Sequence, residues 1–339
     1  MKYTQKDTIF VQIASYRDPE LQCTLKDLFE KAKRPENIFV GICHQYDMKG
    51  DEDKHLFEIP FSHPEQLRID NVDYRESQGC CWARNRVQKL WKGEKWTLMI
   101  DSHMRFEKDW DEILVSDIKN EISKNKSDKI LFTAYLPGFS YEENKIDINY
   151  HKNIGSIKIA FESGFIRCNG ATDIASPISI ASFSAHFAFV NAELFLNNIK
   201  YDDKLFFLGE EPIIAARLFT NGWKIVYYNK VLLYHLYNNK NNIKIERKTN
   251  TNNKNNEISR KRQSQILNMQ KTKNLEALEN IEEYGLGDKR TLRDYERFSG
   301  IDVRKQTTRE HTRLGLFENW QEVSKISDVK NIFNNKYNN

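Results

Sequence analysis

No apolar run in this chain of 339 residues approaches the roughly 18 needed to cross a bilayer. The N-terminus offers only a short apolar stretch at residues 9–14, so the expectation is a soluble, cytoplasmic protein without a transmembrane segment or leader. Cysteine is scarce as well. The five, at positions 23, 43, 80, 81 and 168, are odd in number and include no C-x-x-C pair, which argues against a disulfide framework and fits a reducing compartment. Charge of one sign is also lacking: 52 Lys+Arg against 48 Asp+Glu leaves +4, too little to indicate a nucleic-acid binder by composition. Apolar residues make up 39%, below the roughly 45–50% usual in globular proteins. Part of the chain therefore forms no core, and the length allows two domains or one large domain with an appendage.

Strand and helix signals alternate through the first 236 residues. Residues 9–14 read as a strand, and Asp18-Pro19 supplies an N-cap and first-turn proline for a helix with Leu25, Leu28, Phe29 and Ala32 on one face. Strands are expected at 37–43, 67–74, 96–100, 129–135, 178–190, 224–228 and 231–235, with helices carrying Cys80, Ala83, Val87, Leu90 and Trp91 and spanning 212–220. This alternation predicts an α/β fold with a mostly parallel sheet and ligands at the carboxyl ends of its strands. Residues 238–256 hold nine Asn among Lys and Thr and read as a linker that cannot bury enough apolar surface to order itself. An amphipathic helix is expected over 258–284, broken by Gly285-Leu286-Gly287, and a shorter one over 291–298, stopped by Gly300.

The chemistry centres on Asp101-Ser102-His103, where strand 96–100 runs out into a loop. Side chains at i and i+2 beyond a strand end can face one cleft and share a cation. A carboxylate oxygen with an imidazole nitrogen suits Mn²⁺ or a similar ion better than Mg²⁺, which prefers an all-oxygen shell. His235, ending a second strand, can complete a three-ligand set with open positions for phosphate oxygens; a hydrogen-bonded strand-end histidine is the plainer alternative. Arg75 and Arg84 bracket a strand-to-helix turn, where backbone N–H groups favour anions and guanidinium forks suit a diphosphate. Surface ion pairing with Glu76 is the competing role. In Gly209-Glu210-Glu211-Pro212 the paired carboxylates either complement a helix N-terminus or meet substrate, which Gly209 allows to approach closely.

The stretch from Arg75-Glu76, Gly79 and Arg84 to Asp101-Ser102-His103 resembles the nucleotide-sugar site of the polypeptide N-acetylgalactosaminyltransferases. A closer resemblance is to the hydroxyproline-directed polypeptide α-N-acetylglucosaminyltransferases, a family that modifies a cytosolic ubiquitin-ligase adaptor. Its motifs occur in order: IFVQIASYRDPEL at 9–21, VGICHQ at 40–45, GCCWARNRVQKLW at 79–91, DSHMRF at 101–106, FFLGEEPIIAARLFTNGW at 206–223, YHLY at 234–237 and GLGDKRTLRDYERFSGID at 285–302.

The resemblance implies a GT-A type Rossmann-like domain and a metal-dependent retaining transferase using Mn²⁺ or another divalent cation. It further implies UDP-GlcNAc as donor and a hydroxyl on a protein, peptide or glycan as acceptor. By it, Ala14, Ser15, Arg17 and Gln45 line the uridine pocket, Arg84 lies near the diphosphate with Arg75 and Ser102 in the same nucleotide site, and Asp101, His103 and His235 hold the metal. Glu210 and Glu211 form the catalytic element, with Glu210 the first choice to hydrogen-bond the sugar hydroxyls or the acceptor; Gly209, His186 and Trp223 are sugar- or acceptor-side candidates, the last two with core packing as their alternative. Front-face attack, with UDP phosphate taking the acceptor's proton, is favoured, and double displacement stays open.

The expected organisation is a catalytic domain over 1–237, a linker over 238–257 and a C-terminal helical region with a disordered tail over 258–339. Residues 237–262 carry a net +6, leaving the remaining 313 residues at −2, so the basic excess is one connector. No aromatic lies between 238 and 283 to stack on bases, so a nucleic-acid partner is not expected. A non-catalytic nucleotide-sugar or glycan-binding protein of the same fold, and a transferase of another UDP-sugar, remain the alternatives.

Overall fold

The computed structural model describes residues 6–142, 145–147, 155, 157–162, 164–171, 178–237, 250–315 and 317. In chain order the first half contains β1 (Ile9–Tyr16), α1 (Leu21–Lys31), β2 (Ile38–Tyr46), β3 (Leu67–Asp73), α2 (Cys80–Gln88), β4 (Trp96–Asp101), β5 (Met104–Phe106), α3 (Trp110–Asn125) and β6 (Ile130–Thr133). Two hairpins follow, β7 (Ser140–Glu142) with β8 (Lys145–Asp147), and β9 (Ile157–Glu162) with β10 (Phe165–Gly170). Then come β11 (Ser179–Ile180), β12 (Phe187–Asn191), α4 (Ala192–Asn198), α5 (Glu210–Thr220), β13 (Lys224–Tyr227) and β14 (Leu233–His235). The C-terminal part holds α6 (Asn250–Ile266), α7 (Leu275–Leu278), α8 (Leu292–Ser299), a small hairpin of β15 (Ile301–Asp302) and β16 (Thr307–Thr308), and α9 (Glu310–Arg313).

Eight strands form one sheet in the order β11-β13-β6-β12-β4-β1-β2-β3. The pairs β1–β2, β2–β3, β1–β4 and β6–β13 are parallel, and β12 runs antiparallel between β4 and β6. Ile9, Phe10, Val11 and Ile13 are all fully buried, a near-continuous apolar run of a strand covered on both faces, broken by Gln12, whose Nε2 donates to Thr97 Oγ1 at 2.7 Å. The α/β, mainly parallel expectation therefore holds. From β1 the chain moves through α1 to β2 and β3 on one side and returns to β4 on the other, which makes the carboxyl ends of β1 and β4 a topological switch point.

Several elements depart from the sequence expectation. The single strand expected over 178–190 is two: β11 pairs with β13 at the sheet edge and β12 lies in the middle. The crossing segment between them satisfies its polar groups locally, with Ser182 Oγ donating to Ile157 O at 2.9 Å and Ser184 N donating to Thr133 Oγ1 at 3.0 Å. The helix after Asp18-Pro19 starts only at Leu21, and α5 starts two residues before Pro212, at Glu210. The helix expected over 258–284 is broken: α6 ends at Ile266, Asn268 and Asn280 take left-handed φ of 52° and 51°, and only the short α7 lies between them. Asn tolerates that conformation better than other non-glycine residues. The helix stopped by Gly300 is present as α8, with Thr291 and Asp294 forming a capping box. Of the expected linker, residues 238–249 lie outside the described residues, as does most of the expected tail.

Candidate active site

Asp101 ends β4 in register with Ala14 of the neighbouring parallel strand β1. Immediately beyond it, β5 pairs antiparallel with β14, placing His235 opposite Met104, and Leu236 N donates to His103 O at 3.1 Å. This small ribbon carries His235 across 132 residues of sequence to His103. The two Nε2 atoms stand 3.1 Å apart, and His235 Nε2 is 3.1 Å from Asp101 Oδ2. One ligand atom from each of the three residues lies within 4.8 Å of the others. Cis donors on an octahedral divalent ion bonded at about 2.1 Å are about 3 Å apart, so the spacing and the mixed donor set suit an ion such as Mn²⁺.

Asp18, read from sequence only as a helix cap, supports this cluster. Its Oδ2 accepts from Ser102 Oγ at 2.5 Å and contacts His103 Nδ1 at 2.7 Å, while Oδ1 accepts from Glu20 N at 3.0 Å. A carboxylate on the far nitrogen of a histidine fixes the tautomer that leaves Nε2 for a metal. Ser102, expected at the nucleotide, is buried and turned to this carboxylate. Burial alone would lower the His103 pKa, but the hydrogen bond and charge of Asp18 raise it above its ordinary value. His235 moves the other way, lowered by burial that outweighs its hydrogen bond to Asp101. Burial would also raise the Asp101 carboxyl, yet the His235 hydrogen bond and the Arg84 charge hold it well below the carboxylate range.

Arg84 projects from α2, one turn after Cys80 and Cys81. Its Nη2 donates to Asp101 Oδ1 at 2.6 Å, and its Nε is buried with no hydrogen-bond partner among the described residues. The same nitrogen lies 4.0 Å from Glu210 Oε1, and Cys81 Sγ meets Glu210 Oε2 at 2.7 Å. The start of α2 needs Gly79: its φ is 112°, and a Cβ there would sit 2.3 Å from Phe206 O, which accepts from Cys80 N at 2.8 Å. Glu210 and Glu211 open α5 behind Gly209, whose φ is 98°. Burial raises both carboxyls. Glu211 reaches about 8, pushed further by the Glu210 charge, and its Oε1 accepts from Ala185 N at 2.9 Å.

The other predicted residues divide into those at the switch point and those elsewhere. Ala14, Ser15 and Gln45 gather at the carboxyl ends of β1 and β2. Gln45 Nε2 donates to Ser15 O at 3.2 Å, while Ser15 Oγ and Gln45 Oε1 are buried without hydrogen-bond partners among the described residues. Unsatisfied buried groups are costly unless a ligand or water meets them. Arg17, with a left-handed φ of 48°, spends its guanidinium on Asp53 and Glu52. Arg75 is held by Asp47 at 2.7 Å and Asp73 at 3.1 Å, and both arginines stack on Tyr74.

His186 stands in the wall of the site, its ring 5.1 Å from that of His235. Its Nε2 accepts from Leu136 N at 3.2 Å and its Nδ1 faces Ser184 Oγ at 2.8 Å, and burial, followed by the His235 charge, lowers its pKa to about 3. It is a neutral, fully engaged ring that fixes the strand-like segment against which His235 pairs. Trp223 does not join the cluster. It is 1% exposed, packs edge-on against Phe195, and precedes β13 at the amino end of a strand parallel to β4, the end of the sheet opposite Asp101.

Two solved structures are similar to parts of this chain, and the first shares its architecture. GalNAc-T7, crystallised with UDP, GalNAc and Mn²⁺, superposes with a TM-score of 0.55 at 14% identity, over 86% of this chain and 57% of that one. S. aureus TarS residues 1–349 give 0.43 at 15% identity, over 68% of this chain and 60% of that one. The chain thus spans less than two-thirds of either. Among curated proteins none matches. The fold is the GT-A type found in GalNAc-T7. The decisive likeness is at the level of sequence family: residues 8–58 and 49–305 match the glycosyltransferase (GlcNAc) family, and the chain belongs to it.

Proposed function

We propose that the protein is a divalent-metal-dependent, retaining glycosyltransferase that moves N-acetylglucosamine from UDP-GlcNAc to a hydroxyl of a protein, peptide or glycan. The observation that carries the reading is the convergence of Asp101, His103 and His235 at the switch point of a GT-A sheet. Family membership and the UDP and Mn²⁺ present with GalNAc-T7 support it. A bound Mn²⁺ would supply Lewis-acid stabilisation of the charge that develops on the departing diphosphate.

The chain's own residues supply the rest. Arg84 orients Asp101 and keeps Nε as a donor for a phosphate oxygen, in a buried setting where a fixed cation is worth more than in water. Ser15 and Gln45 offer unsatisfied polar atoms to the uridine. Glu210, engaged by Cys81 and close to Arg84, is placed to hydrogen-bond the sugar or acceptor. The Glu211 carboxyl is pushed up to about 8, and its Oε1 accepts from Ala185 N. Burial disfavours the anionic form of both carboxyls, which supports front-face attack with the leaving phosphate taking the acceptor's proton.

The resemblance to hydroxyproline-directed transferases makes a peptide hydroxyl the first acceptor to test. The five cysteines, all free, fit a cytoplasmic setting. Release of UDP from UDP-GlcNAc and from other UDP-sugars, with Mn²⁺ and with or without Asp101→Asn, tests the reading. Mn²⁺-dependent turnover lost in Asp101→Asn is expected; neither turnover nor Mn²⁺-dependent UDP binding in the wild type would leave a non-catalytic protein of this fold.

A further inference from the structure

The face that α6 buries is largely polar, with Ile258 and Ile266 as its apolar members. Ser259, Arg262 and Gln263, at helical spacing i, i+3 and i+4, are fully buried, and all three bond to the loop that leads from Asp202 into Glu210, while Arg262 Nη1 also donates to Ala277 O at 3.1 Å and Glu279 O at 2.7 Å. Arg262 Nε donates to Asp202 Oδ2 at 2.7 Å. Ser259 Oγ accepts from Phe206 N at 3.0 Å. Gln263 Nε2 donates to Gly209 O at 3.3 Å, and a Cβ at Gly209 would come within 3.1 Å of that same nitrogen.

The Gln263 amide also pairs with both backbone groups of Ile166, its Oε1 accepting at 2.8 Å and its Nε2 donating at 3.0 Å, as a neighbouring strand would. It therefore joins the loop to β10. On its other side the loop is held by Cys80 N, donating to Phe206 O at 2.8 Å from the start of the helix that carries Arg84. Apolar side chains would pack a helix onto a domain without the desolvation cost of a buried arginine and amide. Buried polar groups directed at one loop instead fix its position, because the bonds that Ser259 and Gln263 make to its backbone, and the Arg262 bond to Asp202, are each met in a single geometry.

We infer that Ser259, Arg262 and Gln263 are positioning residues of the transferase: α6 holds the backbone that presents Glu210 and Glu211 to the site, so the helical region after residue 249 works as part of the catalytic apparatus. The inference rests on the transferase reading above.

Gln263→Met keeps the side-chain length and removes its hydrogen bonds; Ser259→Ala removes one more. Displacement of a catalytic group by about 1 Å costs on the order of 100-fold, so kcat should fall by roughly 10- to 100-fold in the pair of substitutions. KM for the donor and the Kd of Mn²⁺–UDP should stay within about two-fold, because α6 does not touch the nucleotide side. Hydrogen exchange, which requires no turnover, should accelerate over 202–212 and remain unchanged over 96–106.

Unchanged kcat in the double variant overturns the inference. So does a loss of UDP affinity in step with kcat, the mark of general unfolding, and so does unchanged exchange over 202–212. A wild-type protein that turns over no UDP-sugar fails at a different point: it removes the transferase reading and with it the catalytic role, while exchange still decides whether α6 holds the loop.

Discussion

Asp101 divides its carboxylate between two partners: Oδ1 accepts from Arg84 Nη2 at 2.6 Å, and Oδ2 faces His235 Nε2 at 3.1 Å. One oxygen is therefore committed to a fixed cation and the other to the cluster in which a metal would sit. Arg84→Lys loses the planar fork that spans Asp101 and the neighbouring phosphate position. We expect kcat to fall by about 100-fold with the fold intact, measured as UDP release at saturating Mn²⁺. Near wild-type kcat would remove Arg84 from the reaction.

Asp18 contacts His103 Nδ1 at 2.7 Å, so it would act on a bound metal through that histidine. Asp18→Asn should weaken Mn²⁺ binding by about 10- to 100-fold, read by titration calorimetry or from the Mn²⁺ EPR signal. The protein should stay folded, as judged by circular dichroism. Unchanged affinity would leave Asp18 as a helix-start residue alone.

Because His103 binds metal only when neutral and Asp18 raises its pKa above the ordinary 6.5, protons compete with the ion at and below neutrality. Mn²⁺ affinity should rise with pH through this range, and activity should be lost to chelator and restored by Mn²⁺. A flat Mn²⁺ affinity between pH 6 and pH 8 would contradict this, in view of the ordinary histidine pKa near 6.5.

Glu211 links pH to stability in the opposite sense. Its folded pKa of about 8 exceeds the ordinary 4.5, so between these values the folded state holds a proton that the unfolded chain releases. Its contribution is fully present below the unfolded pKa and is lost as pH rises through the folded one. Glu211→Gln should flatten this fall in urea-denaturation midpoints measured across the window. A slope identical to that of the wild type would refute the assignment.

Gly79→Ala combines a positive φ with a Cβ 2.3 Å from Phe206 O. It should destabilise the protein by about 1–3 kcal/mol and lower activity through displacement of α2 and Arg84. Equal urea midpoints for the two proteins would show that the backbone relaxes there.

What could be read from the sequence was whatever the chain carries locally. Alternating apolar runs specify the α/β class, because a strand buried on both faces must be continuously apolar. Asp101 and His103 stood out because a strand end and two ligand types fall within three residues, and Gly300 stopped its helix as expected.

What the tertiary structure decided depends on pairing over long separations. His235 reaches His103 only because β14 pairs with β5. Asp18 looks like an ordinary helix-start residue until Ser102 and His103 close on it. Trp223, at the end of a conspicuous motif, lies at the wrong end of the sheet. The polar stripe of α6 reads as solvent-facing by composition, since hydropathy alone cannot show that Ser259, Arg262 and Gln263 are satisfied by a loop some 50 residues upstream. Periodicity records which face of an element avoids water; where that face finds its hydrogen-bond partners is set by the packed chain.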